Sequence, residues 1–372
     1  MNRKLRILEV NKFYAPHIGG IETLIEQRAK HFAQRDDVEV KVLVCQEKGK
    51  GTTEMRDGVE VIRCGSLGTY FSCPLSFAFL RKFRELSQWA DVAEIHTPFP
   101  LGDAAVLLSA CKCRIVIAWH SDVVKQKHLL TLYKPLLLRF LKRADAIIAA
   151  TPGHIDGSAF LPQFREKCRV IPYPLETERY LRARRFPILT QQMQDPGAVK
   201  LLFVGRLVYY KGVEYLIEAL RQVQGCELFL CGTGVLEDSL RAQAEGLPVH
   251  FLGRLSDEEL KAAFADCDIF VLPSVERSEA FGIVQQEAMV YGKPVINTRL
   301  PGGVPYVSVD RQTGLTVPPK DAAALAAAIR TLAEDPALRA EYGRNAAEKV
   351  RQEYDYHKIM DDILAVLKGG GA

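Results

Sequence analysis

Short apolar runs alternate along the chain with stretches in which apolar residues recur every three or four positions. LRILEV (5–10), VEVKVLV (38–44), VEVIRC (59–64), VAEIH (92–96), RIVIAW (114–119) and AIIAA (146–150) read as buried strands. IETLIEQRAKHFAQR (21–35) carries a helical period between the first two. The second half repeats the scheme with strands KLLFVG (200–205), CELFLCG (226–232), VHFLG (249–253), DIFVLP (268–273) and PVIN (294–297). Helical periods fall at 212–223, 256–266 and 280–292, and the tail is helical. Strands alternating with helices predict parallel sheets covered on both faces, here two doubly wound α/β domains in series. Prolines at 172, 174, 187 and 196 interrupt a stretch without a period, which puts the boundary near residue 185. The expected domains are 1–185 and 186–354, with a last helix over 355–368 folding back onto the first.

Composition narrows the class. At 372 residues, 48% hydrophobic and 25% charged, the chain has enough material for two cores. No apolar run approaches the roughly 20 residues that span a bilayer. The start, MNRKLRILEVNKFY, enters a strand pattern directly, without signal-peptide character, so a cytoplasmic location is expected. Nine cysteines are scattered, and the close pair Cys111 and Cys113 has no second pair at zinc-site spacing, so they read as reduced core thiols. Residues 1–180 hold 27 Lys+Arg against 20 Asp+Glu, and the remainder 22 against 25, within a total of +4. A basic first half suits an anionic partner there. The excess is too small, and aromatic–basic platforms too absent, for nucleic acid.

Three segments carry candidate chemistry. After the first strand, Ala15-Pro16-His17-Ile18-Gly19-Gly20 leads into a helix, and Gly19 and Gly20 let backbone N–H groups approach an anion at its positive end. In the second half, Gly205-Arg206-Leu207-Val208-Tyr209-Tyr210-Lys211-Gly212 follows a strand, where α/β sheets bind ligands. Arg206 and Lys211 are placed to neutralise a diphosphate as it leaves. Glu279-Ala280-Phe281-Gly282-Ile283-Val284-Gln285-Gln286-Glu287 follows the strand DIFVLP. Read as one helix, it separates the two carboxylates by about 12 Å along the axis, enough to grip the sugar and ribose ends of one ligand. The amides of Phe281, Gly282 and Ile283 would face that ligand. Asp266-Cys267-Asp268 looks like a metal-binding Asp-x-Asp, but it stands at the start of a strand, the wrong edge, so no metal is expected.

Together, FYAPHIGGIET, GRLVYYKG and the Glu-x7-Glu of EAFGIVQQE after VLPSVERS resemble retaining glycosyltransferases of family 4, which have the GT-B fold of two facing Rossmann-like domains. VIPYPLETERY (170–180) is similar to that family's inter-domain segment, with Tyr173-Pro174 departing from its usual pattern. The resemblance covers nearly the whole chain and implies a nucleotide-diphosphate sugar as donor substrate, with no cofactor, bound in the cleft between domains. It makes Glu279 the carboxylate for the transferred sugar, Glu287 that for the ribose, and Arg206 and Lys211 the diphosphate cations. Gly19 and Gly20 match the N-terminal glycine loop near phosphate and acceptor. His120, in Trp119-His120-Ser121-Asp122, matches the cleft histidine beside the reacting centre. Attack on the face that the diphosphate leaves, with a phosphate oxygen as base, is the mechanism implied.

HSDVVKQK and ERSEAFGIVQQEA look most like bacterial mannosyl- and rhamnosyltransferases of surface polysaccharide, making GDP-mannose the first donor and UDP-hexoses the second. The expected acceptor is a glycan or polyprenyl-diphosphate-linked saccharide. A basic, leucine-rich segment, KQKHLLTLYKPLLLRFLKR (125–143), offers a peripheral contact with anionic membrane. Two other readings share the architecture: a nucleotide-sugar epimerase, and a non-catalytic sugar-binding protein.

Overall fold

A computed structural model of the chain describes residues 3–17, 19–71, 73–122 and 127–370, without the side chains of 127–130. The chain forms two units, Met1–Pro172 with His357–Ala372, and Tyr173–Tyr356. In the first, β1 (Leu5–Val10), α1 (Gly20–Ala33), β2 (Val38–Cys45), β3 (Thr52–Arg56) and β4 (Val59–Cys64) lead to a short hairpin, β5 (Thr69–Tyr70) and β6 (Cys73–Pro74). Then come α2 (Phe77–Trp89), β7 (Val92–Thr97), α3 (Pro100–Leu108), β8 (Arg114–Trp119), α4 (Lys127–Arg143), β9 (Ala146–Ala149), α5 (Pro152–Asp156) and β10 (Cys168–Val170). The eight-stranded sheet runs β10-β9-β8-β7-β1-β2-β4-β3, parallel except for β3, which pairs antiparallel with β4. Chain order reverses at β1, whose neighbours are β2 and β7. That reversal marks the switch point where α/β sheets leave a crevice.

The second unit contains α6 (Thr177–Leu181), β11 (Val199–Val204), α7 (Val213–Leu220), β12 (Cys226–Cys231), α8 (Glu237–Gln243), β13 (Val249–Gly253), α9 (Asp257–Asp266) and β14 (Ile269–Leu272). It continues with α10 (Ile283–Met289), β15 (Val295–Thr298), α11 (Val304–Val307), β16 (Gly314–Val317), α12 (Ala322–Glu334) and α13 (Pro336–Glu353). Its six-stranded parallel sheet runs β13-β12-β11-β14-β15-β16, so the switch lies between β11 and β14. Every residue of β12 and β14 is buried, as expected for strands covered on both faces. Helix starts are written locally. Ser256 and Glu259 form a reciprocal capping box at α9, while Asp321 and Asp335 cap α12 and α13.

Residues 173–185 group with the second unit, so the crossing falls before the expected 185. Long-range bonds hold them there: the Gln286 amide donates to Tyr173 O (3.0 Å), Leu175 N to Tyr354 O (2.9 Å), and Tyr180 OH to Glu287 (2.7 Å). The chain crosses back within α14 (Tyr356–Leu367), where Arg35 donates to Asp361 (3.0 Å) and Lys368 to Asp37 (3.0 Å) inside the first unit. Among the described residues no helix is long and apolar enough to cross a membrane. The start of the basic segment 125–143 lies outside the described residues.

Glycines join the strand ends of the second unit. Gly205 N donates to Cys231 O (3.0 Å) and Gly232 N to Gly253 O (2.7 Å). A Cβ on Gly232 would lie 2.0 Å from Gly205 O, at φ +132°. Gly232→Ala should therefore cost the second unit about 2 kcal/mol or more, because the obstacle is backbone. Urea unfolding followed by far-UV circular dichroism measures it, and an unchanged midpoint would contradict this packing.

Candidate active site

The loops after β11 and β14 flank the switch point of the second unit, and both are fixed by backbone contact. Gly212 adopts φ +65° with no room for a Cβ, which would lie 2.3 Å from Pro273 O. Val275 N donates to Tyr210 O (2.8 Å). This clasp brings Lys211 and Glu279 together: the ammonium lies 2.5 Å from Oε2 of Glu279, and Ser274 Oγ donates to the same oxygen (2.9 Å). Both charged side chains are buried. Burial without a partner would cost several kcal/mol per ion, so each fixes the other. Arg206 is exposed on the same loop and donates to Tyr210 OH (3.1 Å).

The segment after Glu279 differs from the single helix expected over 280–292. Gly282 takes φ +73°, and only then does α10 begin, at Ile283. A Cβ on Gly282 would lie 2.7 Å from Leu272 Cδ2, so the turn is closed to larger residues. Glu279 therefore stands on a loop, and the 12 Å helical separation from Glu287 does not apply. Phe281 is buried, edge-on to Tyr173 (4.8 Å) and Tyr354 (6.3 Å), so its ring anchors the loop. Gln285, fully buried, donates to the carbonyls of Phe281 (3.2 Å) and Val304 (3.3 Å), while Asn297 donates to its oxygen (2.9 Å). The amides of Ile283 and Val284 open α10, where helix geometry supplies no acceptor. Glu287, on α10, accepts from Tyr180 OH (2.7 Å), and burial raises the carboxyl's pKa above its ordinary range. Sequence reasoning missed Tyr180 and Ser274; the run VIPYPLETERY was read as linker, and nothing local ties it to α10.

In the first unit, Gly19 caps α1, but the Glu22 carboxylate already occupies the space where a Gly19 side chain would sit, 2.1 Å from its Cβ position. Gly20 is open on that side. His120 follows β8 and is buried, stacked on His96 at 5.2 Å, with His96 Nδ1 2.9 Å from His120 Nε2. Behind His96 lies a charge cluster that sequence reasoning also missed. Arg28 donates to Glu9 (2.9 and 3.1 Å) and to Glu94 (3.0 Å), and its Nη2 stands 2.5 Å from His96 Nε2. The same Nε2 stands 3.0 Å from Oε2 of Glu9, so guanidinium, carboxylate and the second imidazole together hold the His96 ring. The missed signal was a lone Glu inside each of the apolar strands LRILEV and VAEIH.

Glu9, Glu94 and His96 converge closely enough to hold a metal ion, but Arg28 already places its positive charge among them. Against burial, the charge of Arg28 and the hydrogen bond between His96 and Glu9 hold Glu9 low, whereas burial and the charge of Glu9 raise Glu94. Burial lowers His96 and His154 to about 4, and lowers His120 well below its ordinary range, with His96 and Arg28 adding to it. At the start of β14, Asp266 accepts from the amides of Leu189 and Thr190 (2.7 and 2.9 Å), and Asp268 from Lys200 N (2.8 Å).

A buried lysine locked to a carboxylate thus stands at the switch point of a parallel sheet, where α/β folds bind ligands. Comparison with known proteins gives the family. Residues 18–179 match the model for "Glycosyltransferase Family 4" and residues 189–349 that for "Glycosyl transferases group 1". The D-rhamnosyltransferase WbpZ of Pseudomonas aeruginosa is 40% identical over 76% of this chain and 74% of its own. The O-antigen chain mannosyltransferase C of Escherichia coli is 32% identical over 96% of both chains. Anabaena Alr3699/HepE, solved in complex with UDP, shares the fold at a TM-score of 0.77, with 23% identity over 98% of this chain and 100% of its own. The chain belongs to the family 4, group 1 glycosyltransferases; it is a retaining hexosyltransferase with the GT-B fold.

The buried histidines set a pH dependence. His96, His120 and His154 are held neutral when folded but take up protons when unfolded, so stability falls as pH drops from about 6.5 toward 4. The chain's two tryptophans, Trp89 and Trp119, both lie in the first unit, so their fluorescence reports it alone. Its urea midpoint should fall across that window and fall less steeply in His154→Gln. A flat profile would contradict the neutral cluster.

Proposed function

We propose that the chain transfers a hexose, with mannose from GDP-mannose as first donor, to a glycan or lipid-linked acceptor in cell-surface polysaccharide or glycolipid assembly. The Lys211–Glu279 pair carries this reading. Lys211, held by Glu279 before substrate arrives, places a fixed positive charge where the diphosphate departs, and a preorganised charge stabilises a transition state without reorganising. Arg206, exposed on the same loop, adds a second. Oε2 of Glu279 is taken by Lys211 and Ser274, which leaves Oε1 for a hydroxyl of the sugar. Glu287 takes the ribose, its carboxylate oriented by Tyr180. His120 bonds the sugar beside the reacting carbon, its ring set by His96. A phosphate oxygen of the leaving group accepts the acceptor's proton.

Mannose is favoured by the O-antigen chain mannosyltransferase, similar over 96% of this chain. A UDP-hexose donor is the second reading, supported by the UDP complex of the structural neighbour. A thermal-shift panel of GDP-, UDP-, ADP- and dTDP-sugars separates them, because a ligand of the folded state raises its stability by mass action. The largest rise is expected with GDP-mannose. A larger one with a UDP-hexose overturns the donor, and no rise with any member overturns the site.

Lys211→Ala should lower turnover by about 10²–10³-fold and also destabilise the unit by about 3 kcal/mol, because it strands Glu279. Adding Glu279→Gln should restore the melting temperature but not the turnover. Near-normal turnover in the single variant would remove Lys211 from the mechanism.

A further inference from the structure

Among the described residues, twelve large apolar side chains stand well exposed, and five of them fall within residues 67–77: Leu67, Tyr70, Phe71, Leu75 and Phe77. They share one place in the fold. Leu67 N donates to Leu75 O and Leu75 N to Gly68 O, both at 2.9 Å, extending the β5–β6 hairpin, and Phe77 opens α2 beside it. Phe71 is 74% and Phe77 71% exposed, although folding ordinarily buries rings of this size. Scattered apolar residues on a surface need no explanation, but a concentration on one short hairpin does.

The surroundings identify what would cover it. Residues 61–84 contain no Asp or Glu, yet carry Arg63, Arg81, Lys82 and Arg84, and the arginines at 81 and 84 are exposed on α2. The loop holding Lys48 and Lys50, both exposed, is tied to the hairpin: Gly49 pairs with Ser66 (2.8 and 2.9 Å), and Thr69 Oγ1 donates to Glu47 O (3.0 Å). Lys12 and Lys48 line an open cavity of about 600 Å³ with Gly68 and Thr69. Nearby acids are partly engaged, Glu47 by His17 (2.9 Å) and Glu85 by Lys82 (2.9 Å); Glu22 also lines the cavity. Exposed aromatic and aliphatic side chains, with cations on the segments tied or adjoining to them, are what an interfacial membrane anchor presents to headgroups and upper acyl chains.

We propose that the β5–β6 hairpin and the start of α2 dock the protein on an anionic bilayer, with Tyr70, Phe71 and Phe77 entering the headgroup layer and Lys48, Lys50, Arg81 and Arg84 meeting lipid charge. This rests on the reading of a lipid-linked acceptor, which such a surface would deliver.

The test is flotation of the full chain with vesicles of mixed phosphatidylcholine and phosphatidylglycerol. The wild type should float, less at high salt and less on phosphatidylcholine alone. Phe71→Asp/Phe77→Asp should lose about tenfold or more of the bound fraction. Both residues are exposed, so this variant should keep its melting temperature and its nucleotide-sugar shift. Absence of wild-type binding, or equal binding by the variant, overturns the proposal. So does a wild-type dimer in sedimentation that the variant converts to monomer, because the patch then covers a second copy. Flotation is read without a donor, so it fails or succeeds independently of the donor panel.

Discussion

A charge removed from water must be neutralised where it lies, and each unit holds a compensation of this kind near its switch point. In the first, Arg28 is enclosed by Glu9 and Glu94. In the second, Lys211 is enclosed by Glu279 and Ser274. The first runs through the sheet itself, between neighbouring strands β1 and β7. The second is carried on loops, which hold only because Gly212, Gly232 and Gly282 allow backbone approaches that no Cβ would permit. Rigid strands and glycine-closed loops thus solve the same electrostatic problem by different means.

The two solutions suit different tasks. A guanidinium spent on two carboxylates and an imidazole nitrogen is held from within, so it fixes ring orientation. The ammonium of Lys211 has two known neighbours near it, Glu279 and the ring of Tyr210 (5.6 Å), and three protons to give. Spare donor capacity therefore remains at this buried cation.

The strands proposed from apolar runs all appear within a residue or two, because a parallel strand covered on both faces writes itself as a continuous hydrophobic stretch. Several strands that were missed had no such signature. Thr52–Arg56 is almost wholly exposed and joins the sheet only as an antiparallel edge, while Cys168–Val170 and Thr69–Tyr70 are too short to show a period. Glu279 and Lys211 were legible from local spacing, since each follows a strand. Tyr180, Ser274 and the Arg28 cluster were not, because their meaning lies in partners 5 to 107 positions away. Gly282 illustrates the intermediate case: a glycine visible in the run EAFGIVQQE, whose positive φ, not its presence, moved the helix start past Glu279.

The first unit is discontinuous, built from Met1–Pro172 and completed by His357–Ala372. A ribosome delivers these pieces in order, with the whole second unit between them. Until the last residues emerge, Asp37 lacks Lys368, Arg35 lacks Asp361, and the surface that α14 covers stays bare. The first unit therefore cannot finish folding until the second has been made, and a break in synthesis within the second unit leaves both units incomplete.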